Sequence, residues 1–215
     1  MLIEYYQYLT TIAPFLPVAF GLYAYKGLSK ELRILFYFVC FSAVAELVSA
    51  LMSSNGNNTM TGAHIYVLVE FIILTFFYAN YVKVYINRKY IWVIIAGFTI
   101  LSILNAIFLQ KITVYPNILR AVESIAMVLF SVLYFHKIMV EAKIKKLSKE
   151  PMIWINTAVL VYFSGNFFFH ILFPVVLANS EEFARQIIYF YWASNILFYL
   201  ILTVGFYKQI KLVER

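Results

Sequence analysis

Seven apolar stretches divide this chain, and the gaps between them alternate in charge. The stretches run 5–25, 34–52, 63–81, 90–109, 117–135, 152–177 and 187–207. Each is close to the ~20 residues needed to cross a ~30 Å hydrocarbon core at about 1.5 Å per residue. Fourteen of the seventeen Lys and Arg residues lie in the first, third and fifth gaps and in the C-terminal tail. They are Lys26, Lys30 and Arg33, then Lys83, Arg88 and Lys89, then Lys137, Lys143, Lys145, Lys146 and Lys149, and finally Lys208, Lys211 and Arg215. The opposite gaps hold only Lys111, with Arg120 and Arg185 at helix entrances. Basic loops stay on the cytoplasmic side of a membrane. The pattern predicts an all-α polytopic membrane protein, a bundle of seven transmembrane helices. The N-terminus is expected outside and the C-terminus in the cytoplasm, with residues 1–215 forming one domain.

Composition agrees with the pattern. The chain is 64% apolar with a mean hydropathy of +0.84, whereas a soluble domain is nearer half apolar. Seven spans and their short loops use up the 215 residues, which leaves no soluble catalytic or nucleic-acid-binding domain. The net charge of +7 therefore reflects cytoplasmic loops rather than a nucleic-acid surface. The expected partners are the lipid bilayer and a cytosolic protein met by the basic loop 137–151 and the C-terminal tail. Lys outnumbers Arg and the loops are short, which fits a bacterial inner membrane. Cys40 is the single cysteine and lies inside the second span, so no disulfide is expected.

Three carboxylates lie well inside apolar spans: Glu46, Glu70 and Glu123. An ionisable group there costs a few kcal/mol and belongs in the bundle interior beside a partner. Counted from the weakly charged ends of their spans, all three sit roughly 10 Å deep. Asn166 and Asn195 reach a similar depth. Helical spacing groups the polar residues into stripes. Ser42, Glu46 and Ser49 share a face of span two, and Arg120, Glu123 and Ser124 share one on span five. Tyr162, Asn166 and His170 repeat every four residues on span six, as do Tyr191, Asn195 and Tyr199 on span seven. Tyr66 stands one turn before Glu70, and His64 lies nearer the rim. These stripes predict a polar cavity opening outward above an apolar floor at Phe71–Phe77 and Ala126–Phe130. Its candidate ligand-binding residues are Glu46, Glu70, Glu123, Arg120, Asn166, His170, Asn195, Tyr66 and Tyr191.

Such a cavity suits several chemistries. A divalent cation is one candidate occupant, with Glu46, Glu70, Glu123 and His64 as candidate ligands, since oxygen-rich sets suit Ca²⁺, Mg²⁺ or Mn²⁺. Retinal is not expected, because the last span has no lysine to form the Schiff base. Seven-helix zinc hydrolases use several histidines and aspartate, but this chain has no Asp and no HxxxH pair. A three-plus-one-plus-three duplication, as in the SWEET-type sugar carriers, finds little support in the positions of the prolines. The expectation is a sensor-like or receptor-like module. It would bind a small ligand or cation in the carboxylate-lined cavity and signal to the cytosolic partner. Proton- or cation-coupled transport is the alternative, and a membrane-embedded metal-dependent hydrolase the third reading.

Overall fold

The structure, a computed structural model, describes residues 2–142 and 146–213. Lys143, Lys145 and Arg215, three of the expected cytoplasmic charges, lie outside the described residues. Among those described, the chain is helical without strands, and seven helical segments are long and apolar enough to cross a membrane. Eight α-helices build them: α1 (Leu2–Ile12), α2 (Phe15–Ala24), α3 (Lys30–Ser54), α4 (Met60–Ala79), α5 (Arg88–Leu104), α6 (Asn117–Glu141), α7 (Pro151–Asn179) and α8 (Glu181–Val213). The first span consists of α1 and α2, broken at Ala13 and Pro14. Pro14 and Pro17 each lack a backbone N–H, so the α-helical ladder cannot run through them.

The other helices run past their apolar stretches at one end or both, and local chemistry starts or stops several of them. Ser29 caps α3 by accepting a bond from the Leu32 amide at 3.3 Å. Asn87 does the same for the Lys89 amide at the start of α5, at 3.2 Å. Pro151 opens α7 at the position where a missing N–H costs nothing. The helix α6 ends at Ala142, which turns left-handed at φ 46°.

Contacts between loops sort the ends of the bundle. The Gln209 side chain donates to the Gly27 carbonyl at 2.7 Å, and Asn80 donates to Glu31 at 2.9 Å. Tyr85 pairs with His136 at 2.6 Å, and the Lys208 ammonium lies 5.8 Å from the Trp154 ring. These links gather the lysine-bearing segments at one end, the basic end. At the other, Asn58 donates to the Thr113 carbonyl at 3.0 Å, and Tyr6 of α1 packs on Tyr189 of α8.

In order around the bundle, α2, α3, α4, α6, α7 and α8 form a closed ring, and α5 packs on the outside against α4. The tightest seam joins α7 to α8. Lipid offers apolar side chains as good a solvent as a neighbouring helix does, so close van der Waals packing must hold such a ring. Gly205 supplies it at that seam, where a Cβ would stand 2.6 Å from Ile155 Cγ1. The basic half is filled by Leu35, Phe38, Leu74, Phe77, Leu202 and Phe206, all without exposure.

Candidate functional site

The polar residues of α4 and α6 meet in the half of the bundle away from the basic end. Arg120 sits one turn into α6 and Glu70 midway along α4, on the faces these helices turn to each other. Arg120 Nη1 donates to Glu70 Oε2 at 2.5 Å and stands 3.5 Å from Glu123 Oε2, three residues along its own helix. Glu70 is 2% exposed, Arg120 7% and Glu123 not at all. The guanidinium carbon lies 5.1 Å from the centre of the Tyr66 ring, an arrangement in which the ring's quadrupole attracts the charge. The Tyr66 hydroxyl in turn pairs with Ser42 of α3 at 2.9 Å. One turn beyond Ser42, the half-buried Glu46 interacts electrostatically with both Arg120 and Glu70. Three helices therefore bring four ionisable groups to one level.

The charges there are unequally served. Arg120 and Glu70 form a short, charge-assisted pair. Neither carboxylate oxygen of Glu123 receives a hydrogen bond from a protein group, and Arg120 Nε has no acceptor. Buried charges require partners because taking them from water costs several kcal/mol each. Three carboxylates against one guanidinium leave that requirement unmet.

The helices α7 and α8 close the other side. Asn166 donates to its own helix at the Tyr162 carbonyl, at 2.9 Å, and accepts from Ser194 of α8 at 3.0 Å. Its side chain thus ties two helices together. Asn195 is buried with its carbonyl oxygen unpartnered. Its neighbours one turn either way interact with the ion cluster, Tyr199 with Glu46 and Glu70 and Tyr191 with Arg120.

An aromatic plug covers the cluster on the side away from the basic end. The His170 ring pairs through Nδ1 with the Tyr115 hydroxyl at 3.1 Å. Phe169 stacks on Tyr191 with ring centres 4.7 Å apart. Tyr115 belongs to the short segment between α5 and α6, which is strapped across this end of the bundle. Gln110 holds that segment through the Tyr115 carbonyl at 2.7 Å and through Asn117, and His64 holds it through the Val114 carbonyl at 3.0 Å. Burial, followed by the nearby Tyr191 hydroxyl, pushes the Tyr115 phenol well above its ordinary range, so it stays neutral.

Two expectations change here. The outward-opening cavity is closed, because the Tyr115 strap and the α7–α8 aromatics fill its mouth. Two shallow hollows of about 390 Å³ lie elsewhere, one between α2 and α8 at Phe20 and Tyr207, the other at Glu182 and Arg185. The metal set Glu46, Glu70, Glu123 and His64 is not assembled either. Among the described residues no three His, Cys, Asp or Glu side chains come together to hold one ion. Arg120 is paired with Glu70, and His64 is turned to the strap.

A second polar level, just beyond the expected apolar floor, escaped the sequence reading. Tyr78 of α4 pairs with Ser131 of α6 at 3.0 Å and donates to Asn156 Oδ1 of α7 at 2.7 Å. Asn156 Nδ2 donates back to the Ser131 carbonyl at 3.0 Å. The single Tyr78 proton goes to Asn156, so the Ser131 hydroxyl donates to Tyr78. None of the three is exposed. Their signal was spacing: Tyr78 lies eight residues after Glu70 and Ser131 eight after Glu123, two helical turns down the same faces. Comparison with protein-family models, with curated proteins and with solved structures finds no match to this chain.

Proposed function

We propose that this protein is a receptor-like membrane module whose switching element is the buried ion cluster of Glu46, Glu70, Arg120 and Glu123. A small ligand reaching the cluster from the end away from the basic loops redistributes Arg120 between Glu70 and Glu123. That shift changes how α4 and α6 sit together and what the basic end presents to a cytosolic partner. The observation that carries the reading is the uncompensated burial of Glu123, fully enclosed yet without a hydrogen-bond donor. Such a group is expensive to keep and marks function more often than structure. The satisfied triad and the apolar packing below the cluster favour binding over conduction, since they offer a transported solute no polar path to the basic end. The expected setting is a bacterial inner membrane with the basic end in the cytoplasm.

The test uses a fluorophore on a Lys83→Cys, Cys40→Ala variant reconstituted in lipid, since Lys83 is exposed at the basic end. Adding Glu70→Gln should alter the label's emission or quenching, while proteoliposomes of the unlabelled protein pass no potassium or proton current. A label blind to the core substitution overturns the reading. Sustained flux that Glu70→Gln abolishes replaces it with coupled transport.

A further inference from the structure

We infer that the ligand of the ion cluster is a small protonated primary amine, ammonium or methylammonium in size, held beside Glu123 and Asn195. This deepens the proposed function and rests on it for the consequence of binding, though not for binding itself. The argument is a census of unmet hydrogen-bonding capacity. The buried side-chain atoms without partners include both oxygens of Glu123, Nε of Arg120 and the carbonyl oxygen of Asn195, which lies on α8 between Tyr191 and Tyr199. The three oxygens are acceptors, and a primary ammonium brings three N–H donors in one compact positive charge to meet them.

Charge and shape point the same way. Glu46, Glu70 and Glu123 outnumber Arg120, so the cluster has room for a second cation. Arg120 is committed to Glu70 at 2.5 Å and only loosely placed at 3.5 Å from Glu123, so a small shift of the guanidinium exposes Glu123 to a competitor. The surrounding walls are tyrosine. Tyr66 packs on the resident guanidinium, and Tyr162, Tyr191 and Tyr199 all interact with Arg120 or Glu70. Aromatic faces around carboxylates recognise cations of this kind. The enclosure limits size, because Glu123 has no exposure and the Tyr115 plug stands above it. A metal ion would also coordinate such oxygens, but among the described residues no three His, Cys, Asp or Glu side chains gather to hold one.

The experiment compares chlorides of ammonium, methylammonium, potassium and tetramethylammonium at equal ionic strength, using the protein in lipid nanodiscs. Potassium matches ammonium in charge and approximate size but cannot donate, and tetramethylammonium keeps the charge but has neither donors nor a compact form. Ammonium and methylammonium should raise the unfolding midpoint by about 5 °C or more at a hundredfold excess over the dissociation constant. The other two salts should leave it unchanged. Glu123→Gln and, independently, Asn195→Ala should weaken the amine response at least tenfold. Equal shifts with all four salts, or no shift with the two amines, overturn the inference. An amine response that survives both substitutions overturns the placement at Glu123. The Lys83 label separates this inference from the reading beneath it. No amine shift with a label that still reports Glu70→Gln removes the ligand class and keeps the receptor, and the reverse removes the receptor and keeps the ligand.

Discussion

Two polar levels cross the same helices, and they are built by opposite rules. The ion cluster and the Tyr78–Ser131–Asn156 triad both use α4 and α6, and Glu70 lies eight residues, about 12 Å, above Tyr78. In the triad, three neutral side chains bond to one another and to a backbone carbonyl, and each of their polar atoms has a partner. In the ion cluster, four ionisable groups leave two carboxylate oxygens and a guanidinium nitrogen without partners. A membrane helix pair gains specificity from a closed network, since any misalignment leaves a polar group in hydrocarbon. An open network gains nothing of that kind, because its unmet groups cost energy in the resting state. The triad reads as the pin that sets the register of α4, α6 and α7, and the cluster as the part that is free to change.

The largest test of the contrast removes the one cation. Arg120→Met should lower stability by about 3–5 kcal/mol, since it strands two buried carboxylates. In thermal unfolding in lipid nanodiscs that corresponds to a drop of roughly 10 °C for a chain of this length. A change below about 3 °C would mean that the carboxylates neutralise without penalty and that the ion pair holds nothing together.

A smaller loss should follow from opening the pin. Tyr78→Phe keeps the ring and its packing on Phe130 but deletes the hydroxyl that joins Ser131 to Asn156. The expected cost is about 1–2 kcal/mol, in line with interhelical hydrogen bonds in membranes. The label at Lys83 should then respond to Glu70→Gln less than before, because the register it reports is no longer held. An undiminished response would show that the signal bypasses the triad. Gly205→Ala provides a control in the same range. Its Cβ would press on Ile155 and cost about 1–3 kcal/mol by overpacking, without altering the response to amines.

Much of this architecture was legible because membranes impose simple rules. Span length and the lysine-rich gaps gave seven helices, and caps such as Ser29 and Asn87 account for some of the places where the helices overran the apolar stretches. The cluster was legible because a carboxylate in an apolar helix is conspicuous: Glu70, Glu123 and Arg120 stand out against their neighbours. Its closure was not. The plug depends on Tyr115, in a loop, meeting His170 and Tyr191 on distant helices, and no periodicity reports a contact between remote segments. The bond from Ser194 of α8 to Asn166 was likewise hidden, since it joins two helices that the stripes treat separately. The triad was missed for a different reason. Tyr78 and Ser131 are ordinary residues for a membrane helix, and only the partnership with Asn156 across a third helix distinguishes them.

The smallest effect on stability should come from the residue that the contrast makes most informative. Glu123→Gln keeps the side chain's volume and removes a charge that no hydrogen bond supports, so the fold loses only the loose 3.5 Å attraction to Arg120. Removing one member of a buried ion pair is costly when it strands the other, but here Arg120 keeps Glu70 as its partner. The midpoint should therefore move by less than about 2 °C, in either direction, while the response to ammonium disappears. That dissociation is the mark of a group kept for binding. Were Glu123→Gln to unfold the protein as readily as Arg120→Met, the cluster would be a structural pin like the triad, and the difference between the two levels would vanish. A stabilised variant that no longer answers amines would sharpen the difference instead, since it would place the cost of the resting state on the same carboxylate that receives the ligand.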